Sequence, residues 1–401
     1  MEWVMSPSFR LIPSGIALIG VSYGLARFAY GLFLPSIRDD INLTTTVAGW
    51  IGSGVYAGYC LAIVLSALLV ERTGAKLMTI AAGLTATMGM ALIAMSHSPV
   101  LLAFAVFLAG ASTGLASPPM AQAVSQLIPT ARQAGANTLI NSGTSVGVMF
   151  SGPVALIALG EWRTAYAIFA AIAAVTTFWV AFTIPGRPQE KTNKTINSIP
   201  SGKGRSGVIA RVEAMPVILA ALGVGFASAV YWTFAGEMIV TVGGLTHRIS
   251  SIAWVVLGVS GLAGGLAGEL IRRIGINTVH RFFLILLALS MLALAIWPSQ
   301  LFAVFLSAAL FGVTYIMLTG VYLVWGIRVY DDRPAIGLGL PFLVLAIGQV
   351  VGTLAAGMLI EATSHLLTFI IFTGVALTPI FLGYKPEDND KSTSSNTSVL
   401  S

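Results

Sequence analysis

One arginine stands in the middle of a long apolar stretch, where a buried cation costs on the order of 3 kcal/mol or more unless something compensates it. This residue is Arg27, and Tyr23 and Tyr30 lie at helical spacing on the same predicted face. A guanidinium group in a low-dielectric site binds carboxylate or phosphate oxygens in a bidentate manner. The pattern predicts an anion site around Arg27; the alternative is a structural arginine that pairs with carbonyls or hydroxyls of neighbouring helices.

The clearest acid inside an apolar stretch is Glu237, which closely follows Tyr231 and Trp232. A carboxyl group in an apolar setting can exchange its proton near neutral pH, and proton coupling requires such a group. We therefore predict that Glu237 carries H+ as the coupling ion. Solvation near the membrane surface, or static pairing with a cation, would explain the same residue without proton transfer.

Polar and aromatic side chains on other apolar stretches could complete a binding site for a small organic solute. Polar residues in such stretches either line a cavity or join helices by hydrogen bonds, and aromatic residues either form a pocket wall or pack. The predicted substrate-binding residues are Arg27, Tyr23, Tyr30, Gln122, Asn141, Tyr231, Trp232, Tyr315 and Tyr322.

The composition indicates that these residues belong to a membrane protein. The 401 residues are 56% hydrophobic and only 9% charged, and a soluble protein of this length needs more charge to cover its surface. Cys60 is the single cysteine, so the sequence offers neither a disulfide framework nor a Cys/His metal cluster. The sequence also lacks a phosphate-binding loop, and we expect no cofactor and no direct use of ATP.

Twelve apolar stretches predict an all-α integral membrane fold with about twelve transmembrane helices. They lie near 14–34, 47–69, 77–97, 100–127, 135–159, 163–184, 214–242, 250–271, 276–297, 301–328, 335–360 and 365–384. We predict an N-terminal six-helix bundle (1–184), a cytoplasmic linker (185–211), a C-terminal six-helix bundle (212–384) and a disordered cytoplasmic tail (385–401).

The positions of the basic residues predict the orientation in the membrane. Most of them, including Arg72 and Lys76, fall in loops on one side, whereas Arg38, Arg163 and Arg248 fall on the other. Cytoplasmic loops are enriched in Lys and Arg, so we expect both termini in the cytoplasm and the protein in the inner membrane of a cell. The formal charge of +6 is thereby explained by topology, and we expect no nucleic-acid partner.

Short segments recur about two hundred residues apart, which indicates internal duplication. Glu71-Arg72-Thr73-Gly74 matches Arg272-Arg273-Ile274-Gly275. Segment 67–76 resembles the hallmark Gly-x-Leu-x-Asp-Arg-x-Gly-x-(Arg/Lys) of the major facilitator superfamily, with Ala67 and Glu71 in place of Gly and Asp. Within that superfamily, segment 24–31 (GLARFAYG) is similar to the YbfB/YjiJ-type bacterial branch.

This resemblance implies two pseudo-symmetric six-helix bundles that rock around a central cavity and move a solute with the energy of an ion gradient. It also implies a gate in which Glu71, Arg72 and Lys76 latch the bundles in one state. We expect such a transporter to act as a monomer among membrane lipids. Its substrate would be a small molecule, and Arg27 favours an organic anion.

Other functions stay open at this point. An efflux pump for amphipathic drugs or metabolites is one alternative, suggested by the aromatic content and a partial antiporter signature on the fifth stretch. A non-transporting membrane sensor that binds a ligand is another. The sequence contains no nucleophile elbow, no paired carboxylates in one stretch and no metal-ligand cluster, so we do not expect an enzyme.

Overall fold

Helices account for all the regular secondary structure that the computed structural model describes, and it describes residues 7–158, 160–186, 212–330 and 334–384. Within these ranges no strand occurs, and the predicted all-α fold is confirmed. Most of the predicted linker and the whole of the predicted tail lie outside the described residues.

Eleven helices of the described ranges are long and apolar enough to cross a bilayer, and a shorter apolar helix follows them. In chain order they are α1 (Arg10–Ile41), α2 (Thr45–Thr73), α3 (Ala75–Ala94), α4 (Pro99–Leu127), α5 (Thr130–Ile157), α6 (Trp162–Thr183), α7 (Val212–Val242), α8 (His247–Ile274), α9 (Ile276–Ile296), α10 (Leu301–Val329), α11 (Gly339–Ala362) and α12 (His365–Phe381). The chain is therefore a multi-pass membrane protein, with about twelve spans as the sequence predicts.

The first helix is irregular at the position of Arg27. A π-helical stretch, Gly20–Phe28, separates the α-helical segments Pro7–Ile19 and Tyr30–Ile41. Gly24 lets this stretch pack directly on Gly147 of α5, where any side chain would collide with backbone atoms. A π-helical turn contains one extra residue and is frequent at functional sites. The wider turn also changes the direction of the side chains that follow Arg27.

The predicted duplication is visible in the turns that follow α2 and α8. Gly74 and Gly275 adopt φ values of 85° and 84°, and each leads directly into the next helix. Glycine adopts this conformation without the steric cost that a side chain would add. The two halves thus share a turn at an offset of 201 residues.

The two bundles meet along three helix pairs: α1 with α7, α2 with α11, and α5 with α8. We name the two ends of the molecule by residues: α1 leads into α2 at the Arg38 end, and α2 leads into α3 at the Arg72 end. Glycines bring the bundles together in the half nearer the Arg38 end. A Cβ on Gly49 of α2 would lie 3.0 Å from the Cα of Gly357 in α11, and Gly31 touches the α7 backbone.

Toward the Arg72 end, α5 and α8 separate. Asn141 of α5 is exposed. Among the described residues, nothing occupies the space within 4 Å of a Cβ placed on Gly265 or Gly268 of α8, whereas Gly258 of the same helix packs on the backbone of Met149. The bundles are therefore in close contact at the Arg38 end, which we call the closed end, and α8 lacks such glycine contacts at Gly265 and Gly268 toward the Arg72 end.

Candidate functional site

Arg27 lies midway along α1 and is only 5% exposed. Four aromatic rings surround its guanidinium group, with distances from Cζ to the ring centroids of 4.6 Å for Tyr59, 4.9 Å for Phe28, 5.0 Å for Tyr56 and 5.6 Å for Tyr23. Cation–π attraction stabilises a desolvated cation by about 2 kcal/mol in favourable cases. The rings partly offset the cost of burying Arg27, but they carry no negative charge.

The hydrogen-bond partner of Arg27 is a neutral amide from the other bundle. Arg27 Nη2 donates to Oε1 of Gln349 in α11 at 2.6 Å, and Gln349 Nε2 donates to the Tyr315 hydroxyl at 3.1 Å. Gln349 is fully buried, and Arg27 Nε has no hydrogen-bond partner among the described residues. No carboxylate in the described ranges forms an ion pair with Arg27. The site thus contains a buried positive charge that these residues do not neutralise.

An aromatic cluster of Phe28, Trp232, Phe311 and Tyr315 adjoins Arg27. Phe28 and Trp232 stack with their centroids 3.9 Å apart. Tyr315 and Phe311 meet Trp232 edge-on, at 5.2 Å and 5.3 Å. Both Trp232 and Tyr315 are predicted from the sequence, and the structure brings both to Phe28, the chain neighbour of Arg27. A cation beside apolar rings is an arrangement suited to an organic anion with a carbon skeleton.

The predicted common face of Tyr23, Arg27 and Tyr30 is only partly present. Tyr23 lies beside Arg27, and its hydroxyl forms a 2.6 Å hydrogen bond with the Ser117 hydroxyl of α4. Tyr30 is not one of the four rings around Arg27; its hydroxyl donates to the backbone oxygen of Ala48 at 3.1 Å. The π-helical stretch ends between Arg27 and Tyr30, so regular helical spacing did not predict the direction of Tyr30.

Two predicted binding residues have their described partners within the C-terminal half. Tyr231 shares a 3.0 Å hydrogen bond with Ser307 of α10 and stacks on Phe311. Tyr322 shares a 3.2 Å hydrogen bond with His280 of α9. Neither makes a described contact with Arg27, and their role in substrate binding stays a prediction.

The remaining predicted binding residues and the predicted gate residues lie toward the Arg72 end. Gln122 is half-buried, with an Oε1 that has no hydrogen-bond partner in the described part of the chain, and Asn141 is exposed. In the predicted gate, Glu71 and Arg72 are exposed and Lys76 is half-buried, all beside the turn from α2 to α3. Their roles in binding and gating stay predictions.

Glu237 is 2% exposed and forms an ion pair with Arg38 of α1. His365 of α12 lies nearby, with its Nε2 atom 3.4 Å from Glu237 Oε1. Arg38 and Glu237 line a pocket of about 430 Å³ at the Arg38 end, together with Asp39 and Thr241. Because α1 and α7 belong to different bundles, this ion pair joins the bundles at the closed end.

Three residues around Arg27 were not predicted from the sequence: Gln349, Tyr56 and Tyr59. Gln349 could have been predicted as a site residue, because an amide inside an apolar stretch needs a hydrogen-bond partner. Nothing in the sequence distinguishes Tyr56 and Tyr59, since aromatic residues in such stretches usually pack against other helices or lie at the membrane interface. Arg38 was assigned to a loop, although its guanidinium group contacts Glu237 of α7.

The model of the Major Facilitator Superfamily matches residues 16–340. A hexuronate transporter of Bacillus subtilis (strain 168) is 29% identical over 192 residues, which is 47% of this chain and 44% of that protein. The transcription regulatory protein OpdE of Pseudomonas aeruginosa is 24% identical over 388 residues, covering 92% of this chain and 91% of that protein. A putative tartrate transporter of Agrobacterium vitis is 25% identical over 342 residues, covering 73% and 74%.

Among solved structures, that of the nucleoside transporter NupG superposes with a TM-score of 0.72 at 14% identity, over 94% of this chain and 98% of that one. This likeness covers both bundles and supports the fold. The resemblance to the superfamily that segment 67–76 indicates is thereby confirmed, and the YbfB/YjiJ-type branch stays a prediction. The family consists of transporters and not of enzymes, which confirms that expectation as well. The chain belongs to the Major Facilitator Superfamily of membrane transporters.

Proposed function

We propose that the chain moves a small organic anion across the membrane as a secondary active transporter, with Arg27 binding the anion. The observation that carries this proposal is the buried guanidinium group, whose described partners are aromatic rings and the neutral amide of Gln349. A bound carboxylate would supply a counter-charge in a low-dielectric site. Two relatives are named for transport of hexuronate and tartrate, both carboxylates, which supports an anionic substrate.

The site suits alternating access because both bundles contribute to it. Arg27 comes from α1, whereas Gln349 and Tyr315 come from α11 and α10. Glycine contacts close the bundles beyond the site at the Arg38 end. A ligand would therefore reach Arg27 from the Arg72 end in this state, and rocking of the bundles would expose it to the other side.

We also infer that H+ is the coupling ion and that Glu237 carries it. The ionised carboxylate pairs with Arg38 and holds α1 against α7 at the closed end. Protonation of Glu237 removes its negative charge, so the ion pair is lost and this end is free to open. Within the described residues, the other titratable groups facing the pair are His365, Asp39 in the same pocket, Tyr30 of α1 and Glu361 of α11; the last two interact with Arg38.

The orientation that we propose follows from the basic loops, with both termini cytoplasmic and the protein in the inner membrane. The Arg72 end then faces the cytoplasm, and we propose that substrate enters or leaves on this side in the present state. Glu71, Arg72 and Lys76 would latch this end when it closes. The moving units would be 1–184 and 212–384, in a monomer surrounded by lipid.

A ligand sensor without transport is the second candidate. It is favoured by the relative named as a transcription regulatory protein, which matches nearly the whole chain. Uptake of labelled glucuronate into proteoliposomes, under an imposed pH gradient of either direction, separates the two. Accumulation in one direction supports the transporter, whereas binding without accumulation in both directions supports the sensor.

Anion binding is tested with the purified full-length protein in detergent. The melting temperature is measured with glucuronate, tartrate or inorganic phosphate at constant ionic strength, with glucose as a neutral control, because a ligand of the native state raises it. We expect carboxylates to stabilise the wild type and the control Arg328→Gln, whose arginine is exposed, but not Arg27→Gln. Equal stabilisation of Arg27→Gln and the wild type would contradict the proposal.

A further inference from the structure

The amide of Gln349 lies where an anion would bind Arg27. Its Oε1 atom accepts a hydrogen bond from Arg27 Nη2 at 2.6 Å. The planar head of a glutamine side chain has the size and shape of a carboxylate. We propose that Gln349 is a displaceable internal ligand, which leaves Arg27 when a substrate carboxylate arrives and so determines the affinity and selectivity of the site; this rests on the proposed function of Arg27.

Hydrogen-bond chemistry fixes which amide atom faces Arg27. Arginine has only donors, so Gln349 must present its oxygen to Arg27 and its NH2 group to the Tyr315 hydroxyl, which lies at 3.1 Å. A carboxylate placed at the same position would accept from Arg27 with a full negative charge. The exchange of an amide for a carboxylate therefore adds an ion pair without changing the geometry of the contact.

Two buried polar atoms near the contact lack partners among the described residues. One is Arg27 Nε, on the same guanidinium group. The other is Oγ1 of Thr353, which lies one helical turn beyond Gln349 on α11 and is fully buried. Buried polar atoms are normally satisfied, and a bound ligand is one explanation of an exception. Arg27 Nε is the second donor that a bidentate carboxylate would use.

The Arg27–Gln349 hydrogen bond also links α1 of one bundle to α11 of the other. It must break whenever the two helices separate. A glutamate at position 349 would make this link a permanent ion pair, whereas the neutral amide makes it weak enough for a charged ligand to replace. Competition for Arg27 would thus connect substrate binding to separation of the bundles.

Three variants of the full-length protein test this proposal through binding of glucuronate and tartrate, measured by melting temperature and by calorimetry. Gln349→Leu has a similar volume and leaves Arg27 without a competitor, so carboxylates should bind about tenfold more tightly if the amide occupies Arg27 in about 90% of wild-type molecules. Gln349→Asn is too short to reach Arg27, keeps the polarity and should bind more tightly as well. Gln349→Glu should melt at a higher temperature than the wild type without ligand and respond to neither carboxylate.

The outcomes separate this proposal from the proposed function. If carboxylates bind the wild type but not Arg27→Gln, while Gln349→Leu and Gln349→Asn bind with wild-type affinity, the displaceable-ligand proposal is overturned and the anion site stands. If neither the wild type nor the Gln349 variants bind any of the anions, both are overturned. Size-exclusion chromatography identifies a variant that fails to fold, and the other neutral variant then decides.

Discussion

Replacement of Gly49 by alanine should open the Arg38 end. Gly49 of α2 faces α11, and a Cβ at this position would lie 2.9 Å from the backbone oxygen of Thr353 and 3.0 Å from the Cα of Gly357. Both neighbours are backbone atoms, so no side-chain rotation relieves the contact. The methyl group can be accommodated only if α2 and α11 move apart.

The size of the effect follows from the cost of overpacking, which is about 1–3 kcal/mol for one extra methyl or methylene group. This cost applies only when α2 and α11 are in contact, because a state open at the Arg38 end separates them. The ratio of open to closed molecules should therefore rise by about 5-fold to 150-fold.

Spin labels on opposite bundles measure this ratio. His97 and Gln300 are exposed in the loops before α4 and α10 at the Arg38 end, so both are replaced by cysteine in a Cys60→Ser background. We expect pulsed dipolar spectroscopy in lipid nanodiscs to show a larger long-distance population for Gly49→Ala. Gly54→Ala on the same helix is the control, because the nearest atom to its new Cβ is Phe107 Cβ at 3.8 Å. The reasoning is refuted if Gly49→Ala and Gly54→Ala give the wild-type distribution.

The remaining predictions concern the charged and aromatic groups of the site. Arg27→Ala should abolish uptake in proteoliposomes while expression stays near normal, and uptake at the wild-type rate would remove Arg27 from the mechanism. Glu237→Gln should abolish the pH dependence of transport. The Arg38 ion pair exists only while Glu237 is ionised, so lower pH favours opening in the wild type and should have no such effect in the variant; an unchanged profile would exclude Glu237 as the proton carrier. Tyr59→Phe should keep the wild-type melting temperature, because the ring over Arg27 remains. Tyr59→Leu removes the ring and should lower the free energy of unfolding by about 1–2 kcal/mol. Equal melting temperatures of the two variants would show that the ring does not stabilise the cation.

The apolar stretches predicted the spans well because a helix that crosses hydrocarbon must be apolar over a length set by the bilayer. Arg27 and Glu237 were found by the same logic, since an ionisable residue in such a stretch needs a reason to be there. Length and hydropathy, however, do not predict which helix packs against a given residue. The partnership of Arg27 with Gln349 joins positions 322 residues apart, and no local pattern encodes it.

Local irregularity set a second limit on prediction. The direction of Tyr30 was inferred from regular helical spacing, but a π-helical stretch precedes it. The partner of Glu237 was missed because Arg38 follows Pro35 near the end of α1, where the sequence is typical of a loop at the membrane surface. A long arginine side chain can reach back along apolar surface to an acid in a neighbouring helix.

The matching turns at Gly74 and Gly275 allow the halves to be compared position by position. At their offset of 201 residues, Arg27 corresponds to Ser228 of α7, and Glu237 corresponds to Ser36 of α1. Each copy has thus acquired a charge where its twin has a small hydroxyl, with opposite signs and at different depths. Duplication alone, with both halves inserted in the same direction, would yield two bundles that are chemically equivalent, and this divergence removes that equivalence. The pseudo-symmetric architecture therefore combines two chemically distinct bundles, one that places a cation midway along its first helix and one that places an acid near the Arg38 end of its first helix.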